Sequence, residues 1–197
     1  MPLPAGDRQL VQIVDAALVD VAHRAGDWLA CRPGCTQCCH GAFSINALDA
    51  LRLRAGMDAL RVDDPPKAAA IESRTRAWLA LHLPFFPGDP IIGILGTSDE
   101  EQARFEDFAN EAACPALDPA TGLCDVYAWR PMTCRVFGPP IRMADGDALG
   151  CCELCFIGAD DSQIAACEMP IPHQLEQRMV TEVGETAETV VAFALLA

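Results

Sequence analysis

A chain of 197 residues with 28 acidic and 14 basic side chains has a formal charge of −14, a field that repels phosphate backbones and anionic lipid and argues against nucleic-acid or membrane-surface partners. No run approaches the ~18 consecutive apolar residues of a membrane span, and the opening Met1-Pro2-Leu3-Pro4-Ala5-Gly6-Asp7 has neither the basic nor the apolar region of a secretory signal, so a cytoplasmic protein of one domain, residues 1–197, is expected. An apolar fraction of 51% excludes extended disorder, although alanine and cysteine inflate it and the large apolar side chains suffice for one core only.

Residues 8 to 30 read as an amphipathic helix. Leu10, Ile13, Val14, Ala17, Leu18, Val21, Ala25 and Trp28 recur at helical spacing, with Gln12, Asp15 and His23 opposite, and Pro33-Gly34 stops it. Asn46 is placed to cap a second helix running to about Arg54, with Asp49 in its first turn. Pro65-Pro66 opens a third, which carries Ile71, Trp78, Leu79 and Leu81. Pro84 to Gly96 is a loop. Ser98 and Glu101 form a capping box ahead of a helix whose stripe is Phe105, Phe108, Ala109 and Ala112. From Cys114 onward short pieces alternate with turns at Asp118-Pro119, Thr121-Gly122, Arg130-Pro131 and Gly138-Pro139-Pro140, and a small hairpin spans Ile141 to Leu149. Pro172 opens a last helix with Leu175, Met179, Val183, Ala187, Val190 and Phe193 along one face. The expected fold is mainly α with short irregular and minor β segments, a small single domain stapled by a cysteine-ligated metal centre.

Cysteine carries the chemical signal. There are 11, an odd number, with Cys38-Cys39 and Cys151-Cys152 adjacent and no export signal, which argues against a disulfide framework and for reduced thiolates on a metal. The first group is Cys31-x3-Cys35-x2-Cys38-Cys39, the second Cys114, Cys124 and Cys134, the third Cys151-Cys152-x2-Cys155 with Cys167 trailing. Spacings of two to four residues let one turn of chain present several sulfurs to one ion. The long gap between Cys39 and Cys114 does not fit a simple zinc ribbon. Candidate metal ligands are Cys31, Cys35, Cys38, Cys39, Cys114, Cys124, Cys134, Cys152, Cys155 and Cys167. The chain is expected to fold back so that Cys35, Cys38 or Cys39 meets Cys114, Cys124 or Cys134, with Cys152 and Cys155 at the edge of the same region as a second knuckle or a second site.

Around the cysteines, Pro131 suits the first turn of a short helix that sets Cys134 near a positive dipole end. Arg130 and Arg135 can offset thiolate charge, or equally make surface ion pairs. Tyr127 is more readily a core residue than a donor to sulfur, and His40 more readily solvated than a ligand. The remaining histidines, His23, His82 and His173, are scattered and receive no role.

Cys31-Arg-Pro-Gly-Cys35-Thr-Gln-Cys38-Cys39-His40, Cys114-Pro-Ala-Leu117, and the run Gly122-Leu-Cys124-Asp-Val-Tyr127-Ala-Trp-Arg130-Pro131-Met-Thr-Cys134-Arg135 resemble the YkgJ-like cysteine-cluster family, named for its C-x-x-C-x-x-C-C signature and credited with chelating zinc or iron. The resemblance covers residues 31–135 and extends toward 167. It departs from the pattern at the first spacing, x3 rather than x2, which makes Cys31 the least secure ligand. What it implies is metal or iron–sulfur binding, with no settled reaction. The sequence reading is therefore a metal-binding cysteine-cluster protein whose partner is a metal ion or cluster, in an electron-transfer or accessory role. An iron–sulfur cluster, 4Fe–4S included, is placed ahead of zinc because the thiols outnumber what one tetrahedral zinc uses. The alternatives are a structural zinc module and a protein-modifying enzyme of the lysine-methylase kind, for which the glycine pair Gly93-x-x-Gly96 is the sole and weak pointer to a methyl-donor site.

Overall fold

The computed structural model describes residues 1–142, 146 and 148–196. In chain order the elements begin α1 (Asp7–Ala25), β1 (Ser44–Ile45), α2 (Ala47–Asp63), α3 (Pro65–His82), β2 (Gly88–Asp89), β3 (Ile94–Leu95), α4 (Asp99–Glu106) and β4 (Leu117–Asp118). They continue β5 (Leu123–Cys124), α5 (Met132–Val136), β6 (Ile141–Arg142), β7 (Leu149–Gly150), α6 (Asp161–Ala166), α7 (His173–Val183), β8 (Thr189–Val190) and α8 (Val191–Leu196). The protein is thus mainly helical, and among the described residues its strands form four short antiparallel pairs. Packing divides the chain into two compact units.

The first unit comprises Met1–Leu3, Thr36–Pro131 and Val180–Ala197. Its core is the junction of α2, α3 and α8, where Ile45, Leu53, Met57, Ile71, Val126, Val191 and Leu195 are buried together. Each fully buried side chain of this size contributes about 1.5–3 kcal/mol. The Asn46 carboxamide accepts from the Asp49 N–H at 3.0 Å and starts α2 as expected, but the helix runs on to Asp63, well past Arg54. The extension passes through Gly56, a poor helix former. It is needed there because a Cβ would sit 2.5 Å from the Trp129 ring. Asp64 caps α3, with the two prolines in its first turn. The capping box at Ser98 forms in full, but α4 ends at Glu106. Ala109 has φ 55°, left-handed and incompatible with a continuing helix. Phe105 and Phe108 instead join Trp78, Phe86 and Phe193 in an aromatic cluster.

Two further expectations are corrected in this unit. The Pro84–Gly96 loop contains the β2–β3 hairpin. The single last helix is broken at Gly184, whose φ of 75° ends α7. Beyond it Val190 lies in β8, paired with Ser44 of β1, before α8 begins.

The second unit comprises Pro4–Cys35 and Met132–Met179. Leu10, Val14, Val21 and Ala25 are the buried face of α1, which packs against α5. Ile13 and Trp28, assigned to the same stripe, are 40% and 38% exposed. The helix stops at Ala25 rather than at Pro33-Gly34, because Gly26 takes φ 52° and the chain tightens into a turn over Gly26–Trp28. The hairpin expected from Ile141 to Leu149 is present as β6 paired with β7; its turn residues 143–145 and 147 lie outside the described residues. No helix among the described residues is long and apolar enough to cross a membrane.

Candidate metal centre

The thiols sort by unit. In the first, Cys38 and Cys39 occupy a tight turn over Gln37–Cys39, closed by the Cys39 N–H donating to the Thr36 carbonyl at 2.8 Å. The Cys114 N–H donates to the Cys39 carbonyl at 2.7 Å, and His40 and Ala113 form an antiparallel bridge, so the turn is stitched to the segment entering Cys114. Cys114 is in turn tied to Cys124: Leu117 of β4 pairs with Cys124 of β5, and the Asp125 N–H reaches the Ala116 carbonyl at 2.9 Å. Cys114, Cys124 and Trp129 pack directly against the α2–α3–α8 core. Arg74 of α3 holds both segments at once, donating to the Pro115 carbonyl at 2.9 Å and to the Asp125 carboxylate at 2.7 Å.

The electrostatics of this group oppose burial with aimed donors. The Ala116 and Leu117 N–H groups donate to the Cys114 sulfur and the Val126 N–H to the Cys124 sulfur. Burial nevertheless pushes Cys114 up to about 12 and raises Cys124. Cys38 moves the other way, to about 6, because it accepts a hydrogen bond from the Cys39 thiol, with its own N–H and the Arg130 charge helping against burial. Cys39, the donor of that bond, is driven up by it, by burial and by the charges of Cys38, Cys114 and Cys124. Arg130 is 7% exposed. It donates to the Tyr127 carbonyl at 3.0 Å, and its guanidinium stands 3.8 Å from the Tyr127 ring centre. Tyr127 itself is 60% exposed, so it is neither a core residue nor a buried donor but a platform for this cation.

In the second unit the neighbours are Cys31, Cys35, Cys152 and Cys155. The Cys31 and Cys152 thiols each lie within hydrogen-bonding reach of the Cys155 sulfur, and Cys35 lies within electrostatic reach of Cys31 and Cys152. Desolvation, followed by these neighbours, pushes Cys31 up to about 12. Cys134 lies on α5, and Cys167 is buried at the C-terminal end of α6. Arg135 is buried and paired with Asp15 at 2.7 Å. His40 is exposed and donates from Nδ1 to the Thr36 carbonyl at 3.1 Å. The glycine pair is explained by packing: Cβ atoms would strike the Phe193 ring at Gly93 and the Glu101 carboxylate at Gly96. Arg74 and Gly138, both important to the cysteine segments, have no signal in the sequence beyond a helix-face arginine and a turn glycine.

Among the described residues, no three or more His, Cys, Asp or Glu side chains are already disposed around a point where an ion would sit. The donor set is nonetheless uniformly soft, which suits zinc or iron and not magnesium or calcium. Small helical units bearing many free thiols define a cysteine-rich domain. Residues 30–151 match the CxxCxxCC family, described as a "putative zinc- or iron-chelating domain", and the chain belongs to that family. No curated protein and no solved structure matches the chain.

Proposed function

We propose that Cys38, Cys39, Cys114 and Cys124 are the chelating centre of this protein and that they hold an iron–sulfur cluster in an electron-transfer or accessory role. The observation that carries this reading is the set of backbone N–H groups aimed at the Cys114 and Cys124 sulfurs, with the buried Arg130 beside Cys38 and Cys124. Such donors stabilise thiolates, and in cluster proteins they tune the potential. An adjacent pair followed by two separated single cysteines also differs from the paired knuckles of a mononuclear site. Cys38, Cys39, Cys114 and Cys124 would hold the metal as thiolates, each giving up its proton on binding.

A second reading, structural zinc, is favoured by the number four: a set of four thiolates completes a tetrahedral shell and leaves no open position. The excess of thiols over one zinc loses its force once they divide into two sets of four. Anaerobic purification with iron, zinc and sulfide analysis separates the two. The cluster reading expects brown protein with broad absorption near ~400 nm and bound iron plus sulfide; colourless protein with stoichiometric zinc overturns it in favour of the second.

A further inference from the structure

We propose that Cys31, Cys35, Cys152 and Cys155 form a second four-thiolate site, built from two knuckles and suited to a single divalent ion of the zinc class. The inference rests on the reading that this chain's thiols bind metal, and adds a ligand set of which two members, Cys152 and Cys155, lie beyond residues 30–151 of the family match.

Spacing is the first support. Cys31-x3-Cys35 and Cys152-x2-Cys155 both fall in the C-x2–4-C range from which structural zinc sites draw paired ligands. Each pair sits on a closed turn: the Cys35 N–H donates to the Arg32 carbonyl at 2.9 Å, and the Cys155 N–H to the Cys152 carbonyl at 2.8 Å. Gly34 supplies the left-handed residue in the first turn, with φ 90°.

The second support is backbone conformation at the later knuckle. Phe156, directly after Cys155, has φ 57°, a region that a bulky residue rarely enters. It is held there by its N–H donating to the Trp28 carbonyl at 2.8 Å. Within the same knuckle the Leu154 N–H is aimed at the Cys152 sulfur, a donor that favours an anionic ligand atom.

The third is how the two knuckles are brought together. Gly138 has φ 123°, and a Cβ there would lie 2.4 Å from the Cys31 sulfur. The same residue's carbonyl accepts from the Cys152 N–H at 3.1 Å. One glycine therefore admits the sulfur of the first knuckle and anchors the backbone of the second. Cys152 and Cys155 are buried while Cys31 is exposed, which leaves a route for an ion to reach the inner thiols.

The test is anaerobic titration of the reduced, metal-free, full-length protein with Co2+, read from thiolate-to-cobalt charge transfer and tetrahedral d–d absorption. Wild type is expected to bind two equivalents per chain. The C152S/C155S variant, and separately Cys31→Ser, whose exposed position spares the fold, should each bind one; C114S/C124S should keep one. Gly138→Ala should weaken the second equivalent at least tenfold by displacing Cys31. Two equivalents in C152S/C155S or in Cys31→Ser, or loss of all binding in C114S/C124S with its helical circular dichroism intact, overturns the second site while chelation stands. A wild type that binds no Co2+ overturns the second site and leaves the first centre to the iron and sulfide analysis.

Discussion

Arg74 acts as a positioning residue for the proposed thiolate centre. Its guanidinium spans the segments that carry Cys114 and Cys124, with one bond to Pro115 and one to Asp125. As an ion pair it is partly solvated, 25% and 12% exposed at the two ends, so its direct contribution to stability is at most about 1 kcal/mol. Its contribution to geometry is larger, because Cys114 and Cys124 must stay in register for four sulfurs to meet. Replacing Arg74 with Met should therefore lower metal affinity at the proposed Cys38–Cys39–Cys114–Cys124 centre by ~10–100-fold, the usual loss for a group that orients ligands. The melting temperature of the metal-free protein should move little. Chelator competition measures the first and a thermal melt the second; an unchanged affinity, or a loss that merely tracks a lowered melting temperature, would show that Arg74 is only a stability residue.

At the scale of elements, the C-terminal end of α3 is coupled to its neighbours by aromatic contact. The Trp78 and His82 ring centres are 4.5 Å apart, and His82 also meets Phe108 edge-on at 6.2 Å. Burial lowers the His82 pKa below its ordinary 6.5. The unfolded chain then binds a proton more readily than the folded one between the lowered value and 6.5. Stability therefore rises with pH across that window and is lost as pH falls through it. Urea unfolding between pH 5 and 7.5 should show this slope in the wild type and a flatter one in His82→Phe, which keeps a ring in the cluster and removes the titration. Parallel curves for the two proteins would mean that His82 is charged to the same extent in both states.

For the whole molecule, the question is how much of the fold the helices sustain alone. The first unit has a defined apolar core, whereas the Cys152–Cys155 knuckle of the second is reinforced by turns and a strained Phe156 rather than by a helix. Metal bound by thiolates stabilises the folded state by several kcal/mol, since the unfolded chain has no assembled site. Stripping the metal under reducing conditions should lower the melting temperature by on the order of 10 °C. An apo-protein that melts where the holo-protein does would make the metal a passenger on a self-sufficient helical fold.

Helix starts were legible because their signals are local. The Asn46, Ser98 and paired-proline starts lie where caps and fixed φ put them, and Leu10, Val14 and Val21 are buried as their spacing requires. Helix ends were less so: α1 and α7 stop at glycines of positive φ, α4 ends three residues before the left-handed Ala109, and α2 runs through Gly56 because Trp129 occupies the space a side chain would need. The family and its soft donor set were likewise written in the residue types and their order. The grouping of the thiols was not. Cys35 and Cys38 stand three positions apart, yet one joins Cys31, Cys152 and Cys155 while the other joins Cys39, Cys114 and Cys124. Residue types and spacings specify which donors are available and how the chain turns locally. Which sulfurs meet depends on contacts between segments far apart in the chain, such as Arg74 with Asp125 and Gly138 with Cys31, and only the tertiary structure brings those together.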